Sequence, residues 1–206
     1  MNQRFFTSDE HIGHNNVLKF CNRPFRDLDE MKSSLISRHN ERVGRGGQVY
    51  HLGDFFWRTT SEAEAIEYFD CLNGQHYFVY GNHDEVIKNS KKLRDRFVWV
   101  KDIAKVSKTE DTPQIVLLHY SMRTWEGSHR GNWHLYGHSH NGLSASVPGV
   151  TKEESCLSMD VGVDTNNYYP WSMDEIAAVM NDKLGAIKII NEFMEGWDVK
   201  HEDSGI

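Results

Sequence analysis

Cysteine and proline are scarce in this sequence, and it contains no long apolar run. Its 206 residues include four prolines and three cysteines, Cys21, Cys71 and Cys156. The cysteines are odd in number, far apart and form no CxxC pair, which argues against a disulfide framework and a thiolate zinc site. No run approaches the roughly 18 apolar residues that span a bilayer, and the N-terminus shows no apolar stretch typical of a secretory signal. We therefore expect a cytoplasmic protein with no membrane-embedded segment.

A basic excess is also missing. Lysine and arginine number 23 against 30 aspartates and glutamates, so the net charge is −7. This balance argues against a protein that binds long nucleic acid through a basic surface. It remains compatible with a small phosphorylated substrate held by metal. The length suits one domain, residues 1–206, with a proper core.

Strand-like runs alternate with helix-start signals along the chain, which predicts an α/β layered fold. Four runs of aromatic, β-branched or aliphatic residues predict buried strands, at Arg4–Ser8, Gln48–Leu52, His76–Tyr80 and Ile115–Leu118. Further strand-like pieces are Trp133–Tyr136, Cys156–Val161 and Ala186–Ile190. Capping-box spacings predict three helices, at Asp27 with Glu30, Ser61 with Glu64, and Ser172 with Glu175. We expect Gly185 to end the last of these helices.

Histidine is abundant, with twelve residues, and several lie with other metal-binding residue types just after the predicted strands. The candidate metal ligands, all oxygen or imidazole donors, are Asp9, His11, Asp54, Asn82, His119, His138 and His140. In α/β sheets, ligands bind beyond the carboxyl ends of strands, so we expect these side chains to meet at one edge of a sheet. Gly53, Gly81 and Gly137 would allow tight turns and a close approach of the backbone there.

Seven ligands are too many for one ion that keeps open positions for chemistry. Two ions would use them if one carboxylate bridges, and Asp54 is the natural bridge because it lies between the N-terminal and C-terminal ligands. Two divalent ions roughly 3.5–4 Å apart activate a water and stabilise the oxygens of a phosphoryl transfer. Imidazole and carboxylate without thiolate favour Mn, Fe, Zn or Ni. We expect two divalent ions, with Mn²⁺ first among these.

The motifs resemble those of the calcineurin-like metallophosphoesterase superfamily. They occur in the order S-D-E-H, L-G-D, G-N-H-D, L-L-H-Y and G-H-S-H between residues 8 and 140. The dipeptide G-D alone carries no weight, whereas all five motifs in order are a strong signal. The opening S-D-E-H-I-G-H and the segment R-P-F at residues 23–25 look most similar to small bacterial and phage phosphoesterases.

This resemblance implies a fold and a set of roles. The fold would be a four-layer α-β-β-α sandwich, with two mixed sheets flanked by helices. One metal would be held by Asp9, His11 and His140 and the other by Asn82, His119 and His138, with Asp54 bridging them. His83 would contact the phosphate and protonate the leaving oxygen. Asp84 would orient the imidazole of His83.

Three more residues are candidates for substrate binding. His14 could reach the phosphate, or it could simply cap and pack. Arg58 and Arg123 follow ligand-bearing strands, where a guanidinium can fork onto phosphate oxygens, although surface ion pairing explains them equally well. His51 and His76 lie within strand runs, and we interpret them as structural.

Two other groups of residues near the motifs have a structural interpretation. Asp160 and Asp164 follow a predicted strand, and we interpret them as turn residues and neighbours of the ligands, because the ligand set is already full. Aromatic residues also follow the motifs. They could stack a nucleobase, but we favour the interpretation that they form core and pocket wall.

The sequence therefore predicts a metal-dependent phosphoric ester hydrolase that uses metal-activated water. A phosphodiesterase on small nucleotide-type substrates fits the acidic charge best, and a phosphomonoesterase is also compatible. One alternative is a nuclease acting on DNA or RNA. Another is a non-catalytic metal-binding scaffold on the same fold, although such a scaffold should have lost ligands that this chain retains.

Overall fold

A computed structural model describes residues 3–143 and 156–202 of the chain. Within these residues the protein has two mixed β-sheets and six α-helices. The expectation of an α/β fold with two mixed sheets is confirmed. Among the described helices, none is both long enough and apolar enough to cross a membrane.

The first sheet has five strands in the order β4-β3-β2-β1-β9. Its strands are β1 (Arg4–Thr7), β2 (Gln48–His51), β3 (Gln75–Val79), β4 (Trp99–Lys101) and β9 (Trp171–Ser172). The first four run parallel, and β9 pairs antiparallel with β1. Three of these strands match predicted runs to within a residue at either end. Because β1, β2 and β3 are neighbours and run parallel, their carboxyl ends lie side by side.

The second sheet has four strands in the order β5-β6-β7-β8. Its strands are β5 (Ala104–Val106), β6 (Ile115–Leu117), β7 (Trp133–Tyr136) and β8 (Ser158–Asp160). The last three run parallel, and β5 pairs antiparallel with β6. The predicted strands over 115–118, 133–136 and 156–161 are thus confirmed.

Five helices follow β1, β2 and β3 of the first sheet, and one long helix directly follows β9 of the same sheet. They are α1 (Val17–Phe20), α2 (Leu28–Arg42), α3 (Glu62–Asp70), α4 (Glu85–Asn89), α5 (Lys91–Arg94) and α6 (Met173–Glu202). The three predicted start signals are found at α2, α3 and α6. Ser61 and Glu64 form a reciprocal capping box, as do Ser172 and Glu175. At α2, Asp27 accepts from the backbone N–H of Glu30.

The expected end of the last helix at Gly185 is wrong, and so is the strand expected over 186–190. Helix α6 continues through both to Glu202. The apolar contacts explain the outcome, because Ile176, Met180, Leu184 and Ile187 pack on one core cluster at helical spacing. Gly185 itself is exposed, and a Cβ placed there would meet nothing.

Two apolar clusters build most of the core. One joins the two sheets, since it contains Phe6 and Tyr50 of the first sheet and Ile115 and Leu135 of the second, together with Ile176 of α6. The other joins helices α2 and α3 to the first sheet, and its members include Met31, Leu35, Tyr68 and Phe78. These clusters fix the strands whose ends carry the predicted ligands.

Candidate metal centre

The predicted ligands meet where the parallel strands of both sheets end. Asp9, Asp54, Asn82, His119 and His138 each lie within three residues of the last residue of a strand. The loops after β1 and β2 are joined by backbone hydrogen bonds from the Asp9 N–H to the Gly53 carbonyl and from the His11 N–H to the Asp54 carbonyl, both 3.0 Å. The ligand-bearing loops are therefore held as one unit.

Asp9, His11 and His140 form what we call the first ligand group, and their donor atoms all lie within 4.8 Å of one another. The Oδ1 atom of Asp9 lies 3.9 Å from Nε2 of both His11 and His140. This oxygen is buried and has no hydrogen-bond partner in the described part of the chain. A buried carboxylate oxygen without a partner is costly, and a cation held between these three donors would satisfy it.

Asp54, His119 and His138 form the second ligand group, whose donor atoms also lie within 4.8 Å of one another. Oδ2 of Asp54 lies 3.5 Å from Nε2 of His119 and 3.6 Å from Nε2 of His11. One oxygen of Asp54 thus faces a histidine of each group, where a carboxylate could bridge two ions. The amide oxygen of Asn82 lies 3.1 Å from the same nitrogen of His119.

Hydrogen bonds fix the tautomers of two ligand histidines. Nδ1 of His119 lies 2.7 Å from the carbonyl oxygen of Leu52, which can only accept, so this nitrogen donates. Nδ1 of His140 lies 2.7 Å from Oδ2 of Asp164. In both rings this leaves Nε2 facing the carboxylates of the ligand groups, as the nitrogen available to a metal once it has lost its proton. Metal-ligating histidines are oriented in this way by carbonyl and carboxylate partners.

The backbone is strained at the ligands. Five of the seven predicted ligands have left-handed φ angles, between 45° and 68°, although none is glycine: Asp9, His11, Asp54, His138 and His140. Such residues cost of order 1–3 kcal/mol each and concentrate at functional sites. The strain is consistent with selection for ligand placement rather than for stability.

The glycines expected to allow close approach do so. A Cβ at Gly137 would lie 2.4 Å from Oδ2 of Asp9, and a Cβ at Gly81 would lie 2.3 Å from Oδ1 of Asp54. At Gly53, whose φ is 93°, a Cβ would lie 2.8 Å from Nδ1 of His119. Any side chain at these positions would displace a ligand.

Burial and neighbouring charges perturb the ligands in opposite directions. Burial raises the pKa of Asp9 to about 7 and lowers the pKa of His11 to about 3. Burial also opposes charge on Asp54, but contact with His119 outweighs it and lowers the pKa of Asp54 to about 2. For His140, burial is outweighed by the bond to Asp164, and its pKa rises to about 10. Protons in such a cluster are what a divalent ion displaces on binding, so the donor set fits two such ions.

His83 lies at the edge of the two ligand groups. Its backbone N–H donates to Oδ1 of Asp54 at 2.8 Å, which anchors the G-N-H-D loop to the bridging carboxylate. Its ring centroid lies 5.7 Å from that of His11 and 4.7 Å from that of Trp57. The imidazole is therefore next to the ligands without being one of them.

Asp84 does not contact the His83 ring in the way the resemblance implied. Its buried carboxylate accepts three backbone N–H groups, from Asp54 at 2.9 Å, Phe55 at 3.0 Å and Gly81 at 2.6 Å. Both oxygens are occupied by these bonds because the loops after β2 and β3 converge on them. Asp84 thus holds the loops that carry Asp54 and His83, and the role of orienting the imidazole is corrected to this one.

The three candidate substrate residues are placed differently. His14 stacks on Trp57, with ring centroids 3.6 Å apart and an interplanar angle of 2°, and it lies 5.4 Å from the His11 ring. Arg58 is exposed, and its guanidinium lies 5.1 Å from the centroid of Trp57. Arg123 is exposed in the loop that follows β6. His14 and Arg58 thus both lie against the ring of Trp57, which neighbours His83.

Two of the aromatic residues that follow the motifs line the centre, in agreement with the interpretation of this group as core and pocket wall. Trp57 contacts His83, and Tyr120 donates from its hydroxyl to the Asn82 amide oxygen at 3.3 Å. The sequence signal for these two residues is their position shortly after ligand-bearing strands. Phe55 has the same kind of position but is buried in the core. Asp160 is a turn residue as expected, since it accepts from the backbone N–H of Gly162 at 2.8 Å.

Comparisons with known proteins assign no activity to the chain. No family model matches it. An uncharacterized protein of Methanocaldococcus jannaschii is 29% identical over 192 residues, which are 93% of this chain and 98% of that protein. The gene 66 protein of Mycobacterium phage L5 is 31% identical over 85 residues, 41% of each chain. A crystal structure of a protein of unknown function from Aquifex aeolicus covers 87% of this chain and all of that one with a TM-score of 0.66 at 21% identity, which shows a shared fold alone.

Proposed function

We propose that this protein is a dinuclear metal-dependent phosphoesterase of the calcineurin-like type, with the four-layer sandwich of that superfamily. One observation carries the proposal: two groups of three donors meet at one Asp54 oxygen, 3.6 Å from His11 of the first group and 3.5 Å from His119 of the second, and His83 lies beside them. The ordered motifs of the sequence support it independently. Mn²⁺ is the expected ion, because the donors are carboxylate, amide and imidazole without thiolate.

In this proposal the first ligand group holds one ion, and the second group holds the other with the help of Asn82. When bound, the ions supply Lewis acidity and an activated water nucleophile. Asp54 sets the spacing of the two groups through its shared oxygen. The ring of His83 reaches the ester oxygen that leaves and donates the proton from its imidazole nitrogen.

The substrate that fits best is a small phosphodiester of the nucleotide type. The net charge of −7 disfavours binding of long nucleic acid, whose affinity rests on basic side chains. A small ester needs only local contacts, which His14 and Arg58 beside Trp57 would supply. The expected location remains the cytoplasm.

The test is a substrate panel run with Mn²⁺ and other divalent ions. It contains aryl phosphate mono- and diesters, linear and cyclic dinucleotides, and single-stranded DNA. We expect diester hydrolysis in the wild type, a loss of about 10²–10⁴-fold in kcat for His83→Ala and loss of activity for Asp54→Asn. His129→Ala removes an exposed histidine of the 3₁₀ helix Ser128–Arg130 and is the matched control.

The panel also separates the other candidate functions. Preferential cleavage of single-stranded DNA would replace the small-diester assignment with a nuclease. A metal-loaded wild type that cleaves no member of the panel would overturn the proposal and leave a metal-binding scaffold.

A further inference from the structure

Arg23, the first residue of the R-P-F segment, lies buried beneath the metal centre, with 4% of its surface exposed. Its guanidinium donates to two backbone carbonyls, from Nη2 to Asp9 at 2.7 Å and from Nη1 to Glu10 at 2.9 Å. It also forks onto Asp164, from Nε to Oδ1 and from Nη2 to Oδ2, both at 2.8 Å. All three nitrogens are thus bonded to the chain around the first ligand group.

Asp164 continues this connection to a second ligand. Its Oδ2 atom, which accepts from Arg23, also accepts from Nδ1 of His140 at 2.7 Å. The side chain of Asp164 is 7% exposed, so the ion pair with Arg23 is shielded from water. One guanidinium therefore touches the backbone of Asp9 directly and the ring of His140 through one carboxylate.

We propose that Arg23 and Asp164 are positioning residues that hold the first ligand group in its binding geometry, while the second group is held by other contacts. The proposal rests on the dinuclear centre proposed above. In the second group, a hydrogen bond to the Leu52 carbonyl orients the ring of His119. The backbone N–H of His83 orients the carboxylate of Asp54 in the same way. Among the described residues, neither Arg23 nor Asp164 makes a hydrogen bond or ion pair with the second group.

The chemistry of the pair suits this task better than it suits stability. A buried ion pair gives little net stability, because desolvation offsets the attraction. A bidentate guanidinium–carboxylate pair is instead geometrically specific, and it holds the carboxylate in the one orientation that fixes the tautomer of His140. Asp9 and His140 both have left-handed φ angles, 61° and 45°, so their placement needs such support.

The experiment measures Mn²⁺ binding by the full chain, with Asp164→Asn as the main variant. The amide keeps the shape but removes the charge and one acceptor, so His140 loses its fixed orientation. Glu175→Gln is the matched control, because Glu175 accepts a similar pair of bonds from Arg42 at 2.9 and 2.8 Å, away from the ligands. Circular dichroism and a thermal melt establish that each variant is folded.

We expect Asp164→Asn to lower the Mn²⁺ affinity of one site by about 10–100-fold and to leave the other within about twofold. After dialysis at an intermediate free Mn²⁺ concentration, the variant would retain one ion where the wild type and Glu175→Gln retain two. Arg23→Lys keeps the buried charge but cannot form two parallel hydrogen bonds to Asp164, so it should lower the Mn²⁺ affinity of the same site. This variant tests the inference if Asp164→Asn does not fold.

Equal weakening of both sites, or no weakening of either, would overturn the inference. The readout is independent of catalysis. A wild type that binds two ions and hydrolyses no ester would remove the proposed function and leave the positioning role of Arg23 and Asp164 standing.

Discussion

Asp84 illustrates how the function of a single residue depends on chain segments far from it in sequence. It follows His83 directly, yet its carboxylate binds the backbone of the loop after β2, about thirty residues away. Burial raises the pKa of Asp84 to about 6 against the effect of these bonds. The sequence identified Asp84 as a residue of the centre, but its three partners become visible only when the loops after β2 and β3 are placed together.

We predict that Asp84→Asn destabilises the protein rather than changing its proton chemistry. An amide group cannot accept three backbone donors, and a buried donor left without a partner costs about 1–3 kcal/mol. Urea unfolding should show this loss, while the pH dependence of the remaining activity keeps its shape. A shifted pH–rate profile with unchanged stability would restore the role in orienting His83.

We also predict that Arg58 contributes to substrate binding and not to the chemical step. Arg58 lines a surface depression of about 250 Å³ whose wall also includes Glu85, at the start of α4 and two residues after His83. A lost charge-assisted hydrogen bond is worth about 1.5 kcal/mol, so Arg58→Leu should raise KM for nucleotide-type diesters about tenfold at unchanged kcat. Steady-state kinetics with Arg123→Leu in parallel distinguish the two arginines, and an unchanged KM for Arg58→Leu contradicts the assignment.

At the scale of elements, a buried layer of histidines joins helix α2 to the first sheet. His51 on β2 lies 3.0 Å from Oε1 of Glu10 and 2.9 Å from Nδ1 of His76 on β3. His39 of α2 lies 2.8 Å from the Asn73 carbonyl and stacks near His76. The expected structural role of His51 and His76 thus corresponds to a hydrogen-bonded layer beneath the sheet.

This layer makes stability depend on pH. Burial lowers the pKa of His39 to about 4, of His51 to about 3 and of His76 to about 2. In the unfolded chain these histidines take up protons below about pH 6.5, so the folded state loses stability as pH falls below that value. Burial raises the pKa of Glu10 to about 7, so Glu10 stabilises the folded state as pH falls. Glu10 contributes one proton to this balance, whereas the three histidines contribute three.

We predict that His39→Gln reduces this pH dependence. Glutamine can still donate to the Asn73 carbonyl, but it takes up no proton on unfolding. Each proton contributes about 1.4 kcal/mol per pH unit, so the fall in unfolding free energy between pH 6 and pH 5 should be smaller by about 1 kcal/mol. Urea unfolding with EDTA present measures it, with His129→Gln as the exposed control, and an unchanged slope contradicts the prediction.

Helix α6 shows where local sequence signals mislead. A glycine followed by A-I-K-I-I predicts a helix end and then a strand, because glycine ends helices and β-branched residues favour strands. The core contacts of Leu184 and Ile187 override this preference. The strand runs over 4–8, 48–52 and 115–118 were predicted correctly because there the apolar pattern and the tertiary contacts agree.

We predict that Gly185→Ala stabilises the protein by about 0.5–1 kcal/mol, because alanine favours a helix interior and a Cβ there meets no atom within 4 Å. Gly137→Ala is the contrasting variant, since its Cβ would displace Asp9, and it should destabilise the centre. Thermal melts measure both. A lower melting temperature for Gly185→Ala would mean that the helix ends where the sequence suggested.

At the scale of the whole molecule, the centre forms where the two sheets meet. Ser8, just past β1, pairs with Gly162 in an isolated parallel bridge, which joins the end of the first sheet to the loop after β8. The order of motifs predicted all seven candidate ligands from sequence, since each follows an apolar run, and the structure brings them together. Arg23 and Asp164, 141 residues apart, could not be paired in that way, because only the closed fold brings them together.

The central claim is that the two ligand groups form one dinuclear centre bridged by Asp54. The most direct measurement is the number of Mn²⁺ ions bound per chain, by elemental analysis after equilibrium dialysis, for the wild type beside Asp54→Asn. We predict two ions for the wild type and fewer than two for the variant. Less than one ion per wild-type chain, or an unchanged content in Asp54→Asn, would contradict the claim.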